Sequence, residues 1–171
     1  MLPLFSLVLV GGCASTNEEP IRTAAFVDLQ RFAGDWYVIG NIPTFIETEA
    51  YNAVESYSQA IDGKVSTTFS FNKGSFSGEQ KIYNPTGFVR EGTGNAVWGM
   101  QFVWPFKAEY RVVYVDPEYQ FTIIGRSKRD YVWLMARDAQ VSESDYQRLI
   151  DIIDDEGYDL SKVRRVPHQI L

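Results

Sequence analysis

Few side chains of this 171-residue sequence could act as nucleophiles or bind a metal ion. It contains one cysteine, Cys13, and one histidine, His168. A zinc site made of Cys and His needs about four such ligands. A Ser-His-Asp triad would have to use His168, which lies three residues from the carboxyl end, where chains usually fray. We therefore expect no catalytic residue, no metal site and no cofactor.

Pairs of carboxylates are the remaining candidates for acid–base chemistry. Glu47 and Glu49 lie in a predicted loop, and Asp154 and Asp155 lie on a predicted helix. Such positions are typical of solvated surface charge, so an enzyme is the less favoured alternative. The formal net charge is −6 and no basic run is longer than Arg164-Arg165. This disfavours nucleic acid as a partner, because binding to phosphate requires lysine and arginine.

The amino-terminal stretch 2–12 is uncharged and mostly apolar. As a helix it would rise only about 16 Å, which is too short for a bilayer core of roughly 30 Å. Val10-Gly11-Gly12-Cys13 resembles the lipobox of bacterial lipoproteins. That resemblance implies a signal peptide over residues 1–12, removal of the signal before Cys13, and lipidation of this cysteine. An ordinary cleaved signal is the alternative, and no Lys or Arg precedes the stretch, which leaves open a start upstream of Met1.

The polar residues after Cys13 have no periodicity, so we interpret 13–25 as a lipidated end and a flexible tether. Ala14 follows the cysteine, where an Asp is absent. In lipoproteins of this type that absence implies delivery to the outer membrane. The protein is therefore expected in the bacterial envelope, anchored to the outer membrane and facing the periplasm.

The pattern of residues 26–171 predicts an all-β domain. Short runs rich in Val, Ile, Tyr, Phe and Thr alternate with Gly, Asn, Asp and Pro turns. The connections are too short for crossover helices, so neighbouring strands should be antiparallel. We predict an eight-stranded antiparallel up-and-down β-barrel. Its predicted strands are 36–41, 53–60, 64–72, 78–83, 94–103, 108–115, 119–126 and 131–137.

One α-helix is expected to follow the last strand and pack outside the barrel. Ser142 begins a motif similar to a capping box, and Gly157 is a plausible end. Apolar residues recur at helical spacing between them and form one stripe, namely Tyr146, Leu149, Ile150 and Ile153. Strand 131–137 is apolar on both faces, so it needs a cover on its outer side, and this helix can provide it.

Four features together resemble the lipocalin family. They are Gly34-Asp35-Trp36 at the start of the first strand, Asp116 in the turn before the seventh, Arg137 at the end of the eighth, and the helix that follows. In lipocalins the arginine packs over the tryptophan at the closed end of the barrel, as a cation on a ring face. The structural signature is thus Gly34, Trp36, Asp116 and Arg137.

The similarity covers residues 26–168 and is greater to bacterial outer-membrane lipocalins than to the family at large. The segments that carry this similarity are 72–74, 105–106, 124–126, 130–133 and 157–161.

Alternation along the strands predicts the lining of the barrel. If Arg137 points into the closed end, alternate residues of its strand point inward as well. The same rule applied from Trp36 adds inward residues of the first strand. Alternation along strands 64–72 and 108–115 adds the remaining ones. The predicted ligand-binding residues are Val38, Gly40, Phe69, Phe71, Tyr110, Val112, Tyr114, Tyr131, Trp133 and Met135.

The resemblance implies that this lining binds a fatty acid or a lysophospholipid for storage or transport. The alternatives are a filled barrel that acts as an envelope structural or interaction protein and, less favoured, a lipocalin-fold enzyme. Cys13 at the amino terminus cannot supply a thiol to the cavity. The loop 43–52 is either a lid over the open end or a segment folded back on the barrel. The inward face of 98–102 and the oligomeric state stay open.

Overall fold

The computed structural model describes residues 20–169. The predicted signal peptide 1–12 and the predicted lipidation site Cys13 lie outside this part of the chain. No helix within residues 20–169 has the length and apolar character needed to cross a membrane.

The described chain forms one antiparallel sheet that closes on itself. From β1 to β9 the strands pair in chain order, except that β4 and β5 both pair with β3, and β1 also pairs with β9, which closes the barrel. The short β10 pairs with β1. The strands are β1 Gly34–Ile42, β2 Ala50–Tyr57, β3 Lys64–Lys73, β4 Gln80–Tyr83, β5 Thr86–Val89, β6 Val97–Val103, β7 Phe106–Val115, β8 Phe121–Gly125, β9 Val132–Ala136 and β10 Arg164–Arg165. Because β4 and β5 both pair with β3 and occupy one position, the barrel has eight positions, which confirms the predicted fold.

The predicted strand 78–83 is only the first half of this fourth position. Its second half, β5, was not predicted, since Asn84 and Pro85 interrupt the pattern and β5 contains Gly87. Pro85 has no N–H to donate to a neighbouring strand, but its carbonyl accepts a hydrogen bond from the Thr67 N–H at 3.0 Å. The break therefore divides one strand without opening the barrel.

The helix α2, Glu143–Asp155, packs on the outside of the barrel as predicted. The Ser142 side chain accepts a hydrogen bond from the Asp145 N–H at 3.0 Å and caps the first turn. At the other end Gly157 has a φ of 80°, and its N–H bonds the Asp154 carbonyl at 2.8 Å. The apolar stripe is buried against outward-facing side chains of β1, β8 and β9, which form a second core outside the barrel.

Two short helices complete the structure. The helix α1, Leu29–Phe32, lies before β1, and Asp28 caps it by accepting hydrogen bonds from two backbone N–H groups. A 3-10 helix, Leu160–Lys162, connects α2 to β10.

Arg137 and Trp36 close one end of the barrel. The guanidinium lies 3.8 Å from the centre of the Trp36 ring, which is the contact that the family resemblance implies. It also donates hydrogen bonds to backbone carbonyls of the segment 31–35, at distances of 2.7 to 3.2 Å. Gly34 has a φ of 97°, and a Cβ there would lie 3.3 Å from the guanidinium. The arginine thus joins α1, β1 and the end of β9 in one closure.

Asp116 organises the turn between β7 and β8 near this closure. Its Oδ1 accepts hydrogen bonds from the N–H groups of Gln120 at 2.7 Å and Phe121 at 2.6 Å. The carboxylate therefore occupies the position of a missing backbone acceptor, as aspartate commonly does in turns.

Both ends of the described chain are packed against the barrel. This differs from the expected flexible tether at the amino-terminal end and from the expected fraying near His168. Ile21 is 4% exposed, and the Ala24 N–H donates to the Val112 carbonyl at 2.9 Å. The tether interpretation is therefore wrong for residues 21–25. His168 does not fray, because its Nε2 lies 2.8 Å from the Val38 carbonyl and its ring contacts Tyr37.

Candidate ligand-binding site

The barrel contains a cavity of about 540 Å³ at the end opposite Trp36 and Arg137. This volume lies in the range of small-molecule sites in proteins. Its lining comes from the loop 43–49, from the inner faces of several strands and from the end of β6, next to the turn that leads to β7. A barrel completely filled by side chains, the alternative above, is therefore not the arrangement observed.

Four of the predicted binding residues line this cavity: Phe69, Tyr110, Tyr131 and Trp133. Phe69 and Tyr110 face it from β3 and β7, Trp133 faces it from β9, and Tyr131 faces it from the position directly before β9. The inward direction deduced from Arg137 thus agrees with the placement of Tyr131 and Trp133. Whether these side chains bind a ligand remains a proposal.

Four other predicted residues point into the barrel but do not border the cavity. They are fully or almost fully buried in the inner core: Val38, Phe71, Val112 and Met135. They support the walls and reduce the volume available to a ligand.

Gly40 does not face the interior, so this prediction is wrong. The register between β1 and β9 shifts between Val38 and Gly40, which places Gly40 opposite the outward-facing Leu134. A Cβ at Gly40 would lie 2.8 Å from the Tyr146 hydroxyl on α2. The absent side chain therefore makes room for the helix and not for a ligand. The irregular register, which breaks simple alternation, is the physical cause.

Tyr114 is the second wrong assignment, for the same reason. The register between β7 and β8 shifts between Val112 and Tyr114. The Tyr114 hydroxyl accepts a hydrogen bond from Arg148 Nη1 of α2 at 2.8 Å, and its ring packs in the outer core. Tyr114 thus contributes to the contact between barrel and helix.

Glu47 was interpreted as a solvated loop carboxylate, but it is only 1% exposed and lines the cavity. Its Oε1 accepts hydrogen bonds from the Thr44 N–H at 2.9 Å and from the Trp133 Nε1–H at 3.1 Å. Burial raises the pKa of Glu47, while these donors and the nearby Arg164 act in the opposite direction. The loop is thus fastened to the barrel wall through a buried carboxyl group.

Glu55 is a cavity residue that the sequence analysis missed. It lies on the inner face of β2, opposite Trp36 on one side and Phe69 on the other, and it is 6% exposed. Burial raises the pKa of Glu55 to about 8, with a further increase from Glu47 and a decrease from the Tyr57 hydrogen bond. The sequence did contain a signal for this position. Ala53 and Tyr57, the alternate residues on either side of Glu55, belong to an apolar face, and alternation places Glu55 on the same face.

A column of aromatic rings continues from the cavity to the closed end. The Trp133 and Tyr110 rings are stacked with centres 6.3 Å apart, and those of Tyr110 and Trp98 are stacked at 5.6 Å. The hydroxyls of Tyr57 and Tyr110 are hydrogen-bonded to each other. Trp98, whose direction the sequence left open, is therefore an interior residue.

The mouth of the cavity is bordered by exposed apolar side chains. Five of them belong to the loop 43–49, to the turn between β6 and β7 or to the strand ends that flank this turn, namely Phe45 at 86% exposure, Phe102 at 49%, Val103 at 68%, Trp104 at 82% and Phe106 at 76%. The loop thus combines both interpretations given above, because Glu47 is folded into the barrel while Phe45 projects from its rim.

Comparisons with known proteins identify relatives along nearly the whole chain. The profile of the family described as Lipocalin-like domain matches residues 27–168. Temperature-induced lipocalin-1 of Arabidopsis thaliana is 26% identical over 161 residues, covering 89% of this chain and 85% of the plant protein. Outer membrane lipoprotein Blc of Escherichia coli is 27% identical over 177 residues, covering 95% of this chain and 94% of the bacterial protein.

Solved structures share the fold at lower identity. Insecticyanin from the tobacco hornworm Manduca sexta superposes with a TM-score of 0.66 at 16% identity, covering 88% of this chain and 84% of that chain. Lobster apocrustacyanin A1 superposes with a TM-score of 0.65 at 10% identity, covering 90% of this chain and 93% of that chain. At these identities the comparison concerns the architecture of the barrel alone.

Proposed function

The chain belongs to the lipocalin family, and we propose that it stores or transports a fatty acid or a lysophospholipid in its barrel without catalysing a reaction. Lipocalins bind small hydrophobic molecules. The observation that carries the proposal is the cavity of about 540 Å³, lined largely by aromatic and aliphatic side chains and open at one end. A slender acyl chain would bury its apolar surface against Phe69, Tyr110 and Trp133.

The proposal is tested by displacement of a fluorescent apolar dye from the purified protein by palmitate and by lysophosphatidylcholine. Ala108→Trp places a large ring among the cavity-lining residues and is expected to weaken binding roughly tenfold, the effect of about 1.4 kcal/mol of steric cost. Ser66→Trp adds the same ring to the outer face of β3 and serves as the matched control. Absence of saturable displacement in the wild-type protein would contradict the proposal.

We further propose that Cys13 is lipidated after removal of residues 1–12 and holds the protein on the outer membrane, facing the periplasm. The names of the bacterial relatives, outer membrane lipoproteins, support this assignment. The path of the chain supports it as well. Ile21 lies against Gly125, which directly precedes the cavity-lining residue Arg126, so the described chain begins near the mouth. A short tether would then hold the mouth close to the lipid surface.

A further inference from the structure

We propose that the inner end of the cavity recognises a protonated amine, so that the preferred ligand is an apolar molecule carrying an ammonium group. This inference rests on the proposed function, because it assumes that an apolar ligand occupies the same cavity, and it replaces the carboxylate of a fatty acid by an ammonium as the preferred polar group. It concerns the polar group of the ligand, which the apolar walls do not specify.

The first observation is the acidic character of the cavity. Its lining includes three carboxylic residues, Glu47, Glu55 and Glu109, and one cationic residue, Arg126. Arg126 already has a carboxylate partner, since its Nε lies 3.5 Å from Asp130 Oδ1. An anionic group that entered deeply would therefore meet carboxyl groups in a poorly solvated space, which is unfavourable.

The second observation is the unequal supply of hydrogen-bond donors to the two inner carboxyl groups. Glu47 accepts hydrogen bonds from Thr44 and Trp133 and is also near Arg164. Among the described residues, Glu55 has one hydrogen-bonding partner, the Tyr57 hydroxyl, and this hydroxyl is shared with Tyr110. A carboxylate can accept about four hydrogen bonds. Glu55 is therefore a buried carboxyl group whose remaining acceptor capacity faces the cavity.

Aromatic rings provide the remaining part of the site. The rings of Tyr110 and Trp133 line the cavity next to these carboxyl groups and are stacked on each other. The face of an aromatic ring carries partial negative charge and attracts cations. An ammonium group would thus find both a carboxyl partner at Glu55 and aromatic surface, while its apolar body would contact the walls. When Glu55 is protonated before binding, its proton is released to solvent as the ion pair forms.

The experiment uses three probes with the same twelve-carbon chain, dodecylamine, dodecanol and dodecanoate, in the dye-displacement assay at pH 7.5 below their micelle concentrations. We expect the wild-type protein to bind the amine about tenfold more tightly than the alcohol or the acid, as is reasonable for a partly desolvated ion pair. The wild-type ratios test the inference without any substitution.

Glu55→Gln should lower the affinity for dodecylamine about tenfold and leave that for dodecanol within about twofold, because the amide keeps the shape but loses the charge. Glu49→Gln removes an exposed carboxylate from the neighbouring loop and should change neither value. The inference is overturned if the alcohol or the acid binds as tightly as the amine, or if the amine preference persists in Glu55→Gln. Failure of all three probes to displace the dye would instead overturn the proposed function, and this inference with it.

Discussion

Arg137 illustrates how one side chain closes an end of the barrel. It lies over the Trp36 ring and donates to carbonyls of the segment 31–35, which include those at the end of the short helix α1. The last carbonyls of a helix have no partner within the helix, and here the guanidinium provides donors to them. The planar guanidinium can contact a ring face and several acceptors at once, which an ammonium cannot do.

Arg137→Lys is therefore expected to destabilise the protein by roughly 2–3 kcal/mol, although the charge is kept. The measurement is urea unfolding of the wild type, Arg137→Lys, Trp36→Phe and the double variant. The double variant should be more stable than the sum of the single effects indicates, because both substitutions disturb one contact. Additive effects, or a lysine variant as stable as the wild type, would contradict this interpretation of the closed end.

Glu55 should give the protein an unusual dependence of stability on pH. Its pKa is about 8 in the folded state, against an ordinary value of 4.5. Between these values the folded state retains a proton that the unfolded state has released. The free energy of unfolding should therefore fall as pH rises through this window, by up to about 1.4 kcal/mol per pH unit, and level off above pH 8.

Burial is the main cause of the raised pKa of Glu55; Glu47 raises this pKa further, and the hydrogen bond with Tyr57 lowers it. Urea unfolding at pH 5, 6, 7 and 8 should show that Glu55→Gln gains stability relative to the wild type at each step, since the amide has no proton to release. Parallel pH profiles of the two proteins would show that Glu55 ionises normally in the folded state.

At the scale of the elements, the contact between α2 and β1 depends on a position without a side chain. A Cβ at Gly40 would lie 2.8 Å from the Tyr146 hydroxyl and 3.1 Å from its Cε2. Tyr146 cannot move away easily, because it is 7% exposed and the Arg165 guanidinium lies 3.8 Å from its ring centre. Gly40→Ala should consequently destabilise the protein by about 1–3 kcal/mol, the usual cost of overpacking.

Combining Gly40→Ala with Tyr146→Phe should recover part of this loss, because the hydroxyl is the atom nearest to the added methyl group. Tyr146→Phe alone is the control, and thermal unfolding is the measurement. If Gly40→Ala were as stable as the wild type, or if it lowered ligand affinity while leaving stability unchanged, the outward assignment of Gly40 would be wrong.

At the scale of the whole molecule, exposed apolar residues are concentrated at the mouth of the barrel. Trp104, in the turn between β6 and β7, is 82% exposed, and Phe106, the first residue of β7, is 76% exposed. Rings in such positions are favourable at a membrane–water interface. The proposed lipid anchor at Cys13 would likewise hold the mouth of the barrel close to the membrane.

Cys13→Ala should release the protein from the membrane fraction of cells, since several acyl chains are needed for firm anchoring. Retention of this variant after a salt wash would contradict the anchor.

In vesicle pelleting, the released protein should still bind phosphatidylcholine weakly through its mouth. Adding Trp104→Ser and Phe106→Ser should reduce that binding roughly tenfold, the equivalent of about 1.4 kcal/mol.

Ile61 offers a matched control for this comparison. It is 73% exposed in the turn between β2 and β3, at the closed end of the barrel. Ile61→Ser should leave vesicle binding unchanged if the mouth is the side that faces the lipid. An equal loss from Ile61→Ser would show that general surface hydrophobicity, and not the mouth, determines binding.

The sequence by itself determined the features that depend on local periodicity and on signature residues. Alternation and turn residues predicted eight antiparallel strands, and helical spacing predicted α2. The resemblance of Trp36 and Arg137 to the lipocalin signature indicated the closed end, and alternation from Arg137 placed Tyr131 and Trp133 on the inner face, where they line the cavity. These inferences hold because the twofold repeat of a strand is a property of the chain alone.

Only the tertiary structure decided which residues lose that simple repeat. Irregular register after Val38 and Val112 turned Gly40 and Tyr114 toward the helix, because a bulge depends on hydrogen bonding to the partner strand and on packing outside it. The burial of Glu47 was equally invisible to the sequence, since its donors Thr44 and Trp133 meet only when the loop folds over the mouth. A charged residue is exposed by default, and its burial requires partners that distant parts of the chain provide.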